Sequence, residues 1–314
     1  MARKSLTVTD ALRMNRADPD AIIAAGEVVD MRFRQGNQLS LRGAKLFCML
    51  VQEAGIDIAD DKQHRVPYAV LNETFHRSRG ELLEAIDELH STTISIAVTS
   101  RAGRPYTKSG PIIADLEREE ETLEGAEIRF EFSKTLRQVI ANSTHWAALS
   151  RRAVLAFESK YSLRFYLFLS LRAGLRKTND EFTLDELREI LGIDPGTLTR
   201  WQDFRRFVLD RARAEINHLA GFRMEYVPIK RGRRVTGIKL FWSLKGREEL
   251  TEAQKELERP RVGRTARREG KVEAIAQEQA LVREQIASSL AASPYGGEGA
   301  TVLEPVPSNG RNTR

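Results

Sequence analysis

The sequence predicts an α+β fold, mainly helical, in which one order of elements is used twice. Three observations predict it. Apolar residues recur at helical spacing in three segments between Ser40 and Leu89, and again in three between Phe157 and Leu219. Each set is followed by alternating, β-branched runs, "TTISIAV" and "AEIRFEF" in the first case, "FRMEYVPI" and "RVTGIKLFWSL" in the second. At 314 residues the chain is longer than one core serves comfortably, so two domains are expected.

Residues 1–36 are polar and broken up, which reads as a flexible arm with one short helix near "DAIIAAGEVV". The first domain spans 37–147. Ala44, Phe47, Cys48 and Val51 share one helix face, and Gly55 can stop that helix. Pro67 suits the first turn of a second helix reaching about Thr74. A third begins after Ser78, which has capping-box spacing with Glu81, and Leu82, Leu83, Ile86 and Leu89 give its apolar face. "TSRAGRPYTKSGP" reads as a loop between strands.

The second domain spans 148–246. "FESKYSLRFYLFLSLRAG" is apolar nearly all round, so it reads as a helix buried on two sides. In "FTLDELREILG", Thr183 and Glu186 have capping-box spacing, Phe182 and Leu187 that of a hydrophobic staple, and Gly192 ends the helix. After the turn "DPGT", Thr199 and Gln202 suggest the cap of a third helix. Its buried stripe is Trp201, Phe204, Val208, Ala212, Ile216 and Leu219. Residues 247–314 begin with a short charged helix. A basic stretch, "RPRVGRTARREGK", follows, and then a Gly, Pro, Ser and Asn-rich end that reads as disordered.

Three helices followed by a two-stranded hairpin describe a winged-helix module, so the expected architecture is two tandem winged-helix domains. In such a module the third helix enters the DNA major groove and the hairpin tip reaches the backbone or a neighbouring groove. The tip "IKRGRRV" holds Lys230, Arg231, Arg233 and Arg234 around one glycine, a group suited to phosphate contacts. The exposed positions of the preceding helix carry Arg200, Gln202, Asp203, Arg205, Arg206 and Arg213, types that include base readers of guanine and adenine. The bland alternative for both groups is a solvated surface. The corresponding helix of the first domain carries Glu81, Glu84, Asp87 and Glu88, which would be costly beside phosphates. The second domain is therefore expected to supply the main DNA readout. The first is expected to serve protein contacts, with limited DNA contact through Arg77, Arg79, Arg101, Arg104 and Lys108.

Other classes are disfavoured. The formal net charge of +6 points toward an anionic partner. The single cysteine, Cys48, permits no intramolecular disulfide, and the five histidines show no ligand spacing, so neither metal nor cofactor is expected. There is no apolar signal segment and no stretch near the ~20 residues a membrane helix needs, so a cytoplasmic protein without membrane contact is expected. Nicking chemistry would call for paired histidines beside a tyrosine nucleophile, and no phosphate-binding G-x-x-x-x-G-K-[ST] loop occurs, so no catalytic residues are expected.

"SKYSLRFYLFL", "FTLDELREILGI", "WQDFRRFVLDRARAEIN" and "YVPIKRGRRVTGIKLFW", in this order, resemble the second winged-helix domain of the iteron-binding plasmid replication initiators of the Rep_3 type. The resemblance is closest over about residues 155–243, weaker over 40–141, and does not extend to the arm or tail. It implies monomeric binding to directly repeated origin sequences in double-stranded DNA and opening of adjacent AT-rich DNA. It also implies recruitment of the host replication initiator and replicative helicase, and often repression of the protein's own promoter as a dimer. The positions that match the family's DNA contacts are the exposed residues of 200–213 and the tip 230–234. The acidic first-domain helix and the long basic tail depart from the pattern. The tail is open between a non-specific DNA clamp and a solvated linker. A winged-helix transcriptional regulator without an initiator role is the competing reading.

Overall fold

A computed structural model of the chain describes residues 6–33, 38–75, 79–99, 103–119 and 126–271. Residues 6–33 are built into the core rather than forming a loose arm. Helix α1 (Val8–Met14) is closed by a capping box between Thr7 and Asp10. Strand β1 (Ala21–Ala25), helix α2 (Gly26–Val29) and strand β2 (Arg32–Phe33) follow. Val8, Ala11, Ile22, Ile23, Val28, Val29 and Met31 are all buried. The correction has a physical cause. These elements are too short to show a period, and they gain their stability from partners far along the chain.

Helix α3 (Leu41–Ala54) starts at Ser40, whose hydroxyl accepts from the Gly43 amide, and ends at Gly55 with φ 54°. Strand β3 (His64–Pro67) takes up Pro67, so α4 (Tyr68–Phe75) begins one residue later than the proline suggests. Helix α5 (Arg79–Ser91) is the expected third helix; the cap foreseen at Ser78 lies outside the described residues. Strand β4 (Thr93–Thr99) then pairs with β5 (Pro105–Pro111), which the sequence reading placed in a loop. Its side chains are mostly exposed and it is bounded by prolines, so it carries no apolar alternation. Strands β6 (Ile113–Arg118) and β7 (Glu127–Phe132) form an antiparallel sheet in the order β3-β7-β6, beside a second in the order β2-β4-β5.

Helix α6 (Lys134–Asn142) leads to β8 (Trp146–Ser150) and α7 (Arg151–Ala156). Strand β8 pairs antiparallel with β1 from Ala21↔Ser150 to Ala25↔Trp146, so a boundary at 147/148 would fall inside a strand. Asp20 closes this junction. Its carboxylate accepts from the Ser150 hydroxyl (2.7 Å) and the Arg152 amide (2.8 Å).

Helix α8 (Lys160–Ser170) is the buried apolar helix, with Leu163, Phe165 and Leu169 fully enclosed. Strand β9 (Asn179–Thr183) precedes α9 (Leu184–Leu191), whose capping box and left-handed Gly192 match the sequence signals. The next helix runs from Trp201 to Leu219 as α10 (Trp201–Phe204), a π-helical segment (Arg205–Asp210) and α11 (Arg211–Leu219). It starts at Arg200 without a side-chain cap, not at Thr199. Strands β10 (Phe222–Arg231) and β11 (Arg234–Leu244) form the hairpin, and β9 adds to β11. A Cβ on Gly237 would stand 2.4 Å from the Phe182 carbonyl oxygen, so the β9–β11 approach requires glycine there. Helix α12 (Arg247–Glu258) ends this unit, and α13 (Arg264–Arg268) lies in a separate one, residues 262–314. The Gly, Pro, Ser and Asn-rich end lies outside the described residues.

Both halves therefore carry the helix–helix–helix–wing order. They are joined by buried polar anchors. Lys45 of α3 donates to the Leu155 and Phe157 carbonyls at 2.7 and 2.6 Å, and Arg164 of α8 donates to the Met31 and Ile190 carbonyls at 2.9 and 3.2 Å. Burial lowers the Arg164 pKa to about 10, so it stays charged at neutral pH.

Cys48 lies in the same core, and burial pushes its thiol up to about 12. A thiol reagent at pH 8 is expected to leave it unlabelled in the native protein and to modify it fully in denaturant, at least ~1,000-fold faster. Mass spectrometry of the timed reaction checks this.

Candidate nucleic-acid interface

The second wing is a hairpin with a two-residue connection. Arg231 pairs with Arg234, and Gly232, at φ 60°, takes the first central position. A bulge between Ile229 and Lys230 breaks the register just before the tip, and such bulges bend a strand and re-aim its side chains. Lys230, Arg231, Arg233 and Arg234 are all exposed, and none of them meets a carboxylate among the described residues. Four positive charges thus cluster at one exposed hairpin tip.

The helix beside the wing is fixed from three sides. Phe204, Val208, Leu209, Ala212, Ile216 and Leu219 are buried, and Trp201 is half-buried. Arg188 of α9 lays its guanidinium 5.4 Å from the Phe204 ring centroid and donates to the Leu198 and Thr199 carbonyls. It thereby closes the turn into α10, in which Leu198 has φ 47°. Glu215, fully buried, accepts from the Glu158 amide and from Arg211 Nε, both at 2.9 Å. The Asn217 side chain accepts from the Met224 amide at 2.7 Å and donates to the Met224 carbonyl at 3.1 Å, clamping the helix to β10. Replacing Asn217 with Ala strands both backbone groups and is expected to cost about 1–3 kcal/mol, read as a lower urea midpoint.

The predicted site residues divide into two groups. Arg200, Gln202 and Arg206 are exposed on the first turns of the helix, together with the tip of the wing. Asp203 is half-buried in the first turn, where the helix dipole favours a carboxylate. Arg205 and Arg213 are instead engaged in ion pairs with the protein's own carboxylates. Arg205 Nε donates to Asp210 at 3.2 Å, a spacing of five residues across the π segment, and this contact raises its pKa. Arg213 bonds Glu225 of β10 at 3.3 Å and lies over the Tyr226 ring. Tyr226 donates to the same Asp210 at 2.5 Å; burial, then this bond, pushes its phenol up to about 12. The Asp210 carboxylate is therefore shared by Arg205 and Tyr226 at the helix–wing joint. Sequence reasoning took Asp210 only as a charge that would repel phosphate, and missed Tyr226, Asn217 and Arg188, for which side-chain type alone gave no signal.

The first-domain helix α5 differs. Arg42 reaches Glu81 and Glu84 at 3.3 and 3.8 Å, Arg118 holds Asp87 at 2.8 Å, and Glu88 accepts from the Ser40 amide and hydroxyl. Its carboxylates are occupied by the protein itself. Lys108 of β5 donates to Gln138 at 2.7 Å. Arg77 and Arg101 lie outside the described residues.

No helix among the described residues is long and apolar enough to cross a membrane. The family model described as "Initiator Replication protein, WH1" matches residues 23–170, and that described as "Initiator Rep protein, WH2" matches residues 183–242. Among solved structures the chain is similar to the Pi initiator protein, crystallised in complex with iteron DNA. Identity is 17% and the TM-score 0.49, over 69% of this chain and 98% of that one. It is also similar to the WH1 domain of MSBI1.176, a replication protein isolated from a multiple sclerosis patient. There the identity is 14% and the TM-score 0.26, over 33% of this chain and 82% of that one. None of the curated proteins matches.

Proposed function

Since the chain belongs to the initiator Rep protein family and carries both its WH1 and WH2 domains, we propose that it is a plasmid replication initiator that binds directly repeated origin sequences, iterons, in duplex DNA. The observation that carries this is the second domain's pairing of a braced helix, bearing Arg200, Gln202 and Arg206, with an exposed four-cation wing tip. The helix suits base edges in the major groove and the tip suits phosphates beside it. Arg205 and Arg213 join them in DNA by exchanging Asp210 and Glu225 for phosphate oxygens, while Asp203 keeps its place at the helix start.

In this reading the first domain serves protein contacts with limited DNA contact, and the second supplies the main readout. The internally paired carboxylates of α5 favour this asymmetry. Bound to its repeats, the protein opens adjacent AT-rich DNA and recruits the host initiator and replicative helicase in the cytoplasm. As a dimer it represses its own promoter. No cofactor, catalytic residue or membrane contact belongs to this reading. The basic segment 259–271 is left open between a DNA clamp and a linker.

The test is a footprint of the purified protein on the DNA flanking its own gene at two salt concentrations. Protection of several equally spaced direct repeats, weakening steeply with salt, is the expected result. Protection of one inverted repeat alone would make a transcriptional regulator the better description.

A further inference from the structure

We propose that Phe207 is a specificity-determining residue of this interface, packing its ring on the C5-methyl group of a thymine that adjoins the guanine taken by Arg206. The inference rests on the DNA-binding reading above and names the base step that reading leaves unspecified.

Phe207 is 49% exposed, the one phenylalanine so exposed among the residues whose side chains are described. It is not a frayed core position, because Phe204 and Val208 on either side of it are fully buried. A ring facing water forgoes the burial that normally justifies an aromatic side chain, and any polar residue would serve a merely solvated face. Phe207 also lies in the π-helical segment 205–210, and such segments recur at functional sites.

Its neighbours give the chemistry. Arg205 is turned back onto Asp210. Arg206 is exposed, and its guanidinium lies 5.3 Å from the centre of the Phe207 ring. The helix thus presents a cation with two parallel donors directly beside an apolar ring. In the major groove a guanine offers two acceptors, O6 and N7, that fit the first, and the thymine methyl is the apolar feature that fits the second. A cation and an apolar ring in adjacent positions match a guanine and a thymine in adjacent base pairs.

The test compares the full-length wild-type protein with Phe207→Ala and Phe207→Leu on duplexes carrying the footprinted site. Each thymine is replaced in turn by deoxyuridine, which removes only the methyl group. One thymine beside a guanine should stand out, its replacement weakening wild-type binding roughly 3–10-fold. Phe207→Ala should weaken binding to the unmodified site by a similar factor and be indifferent to that replacement, whereas Phe207→Leu should retain the preference. If the wild type binds the repeats and Phe207→Ala either binds as tightly or discriminates thymine from deoxyuridine as well, this inference falls and the initiator reading stands. If the wild type protects no site at all, both fall.

Discussion

Replacing Lys230, Arg231, Arg233 and Arg234 together with Ala is expected to weaken binding to the protein's own duplex site by about 1,000-fold near 0.15 M salt. The size follows from counterion release. Each phosphate neutralised contributes about 0.9 to the slope of log affinity against log salt, so four contacts account for roughly 3.6. The variant should therefore lose affinity at low salt and converge on the wild type near 1 M. Stability should change little, because the four side chains are exposed and meet no carboxylate among the described residues. Filter-binding or fluorescence titrations at four salt concentrations check both parts. An unchanged slope would mean that the tip is a solvated turn and that the phosphate contacts lie elsewhere.

The largest effect on stability is expected for Phe204→Ala. The ring is fully buried, packs 6.4 Å from Trp201, and lies under the guanidinium of Arg188. Truncation removes the ring's transfer free energy and leaves a cavity that a braced helix closes poorly, a loss of about 3–5 kcal/mol. The damage should not stop at the core. Arg188 also holds the Leu198 and Thr199 carbonyls, so loosening its ring contact frees the turn that aims Arg200 and Gln202. Urea unfolding should show a clear drop in midpoint, and DNA affinity should fall even at temperatures where the variant stays folded. A variant as stable as the wild type would contradict the assignment of Phe204 as the anchor of this helix.

Signals carried within a few residues were readable from the chain. The Thr183–Glu186 capping box, the terminal Gly192 and the stripe from Phe204 to Leu219 all recur in the structure because caps and periodicity are local. The charges of the wing tip were readable for the same reason, since a glycine between two apolar runs marks a hairpin. Elements that depend on distant partners were not. Strand β1 is five residues held by β8, and no pattern within it announces that pairing. Strand β5 has an exposed, proline-bounded sequence and is a strand because β4 pairs with it. The π segment adjusts backbone hydrogen bonding without any compositional trace. It sets Arg205 against Asp210, so the sequence offered an arginine while the structure shows an ion pair. Asn217 carries no distinguishing signal in the sequence, and only the adjacent strand makes it a clamp.

The pairing of β1 with β8 bears on how the protein is made. Asp20 and Ser150 are 130 residues apart, so β1 meets the strand it pairs with only once a segment far along the chain has been made. Closing so long a loop is entropically slow relative to local helix formation. Until β8 arrives, β1, with its buried Ile22 and Ile23, lacks its strand neighbour, which makes this segment a natural client for chaperones. The order of emergence also means that the first winged helix cannot be completed much before the second has begun to appear.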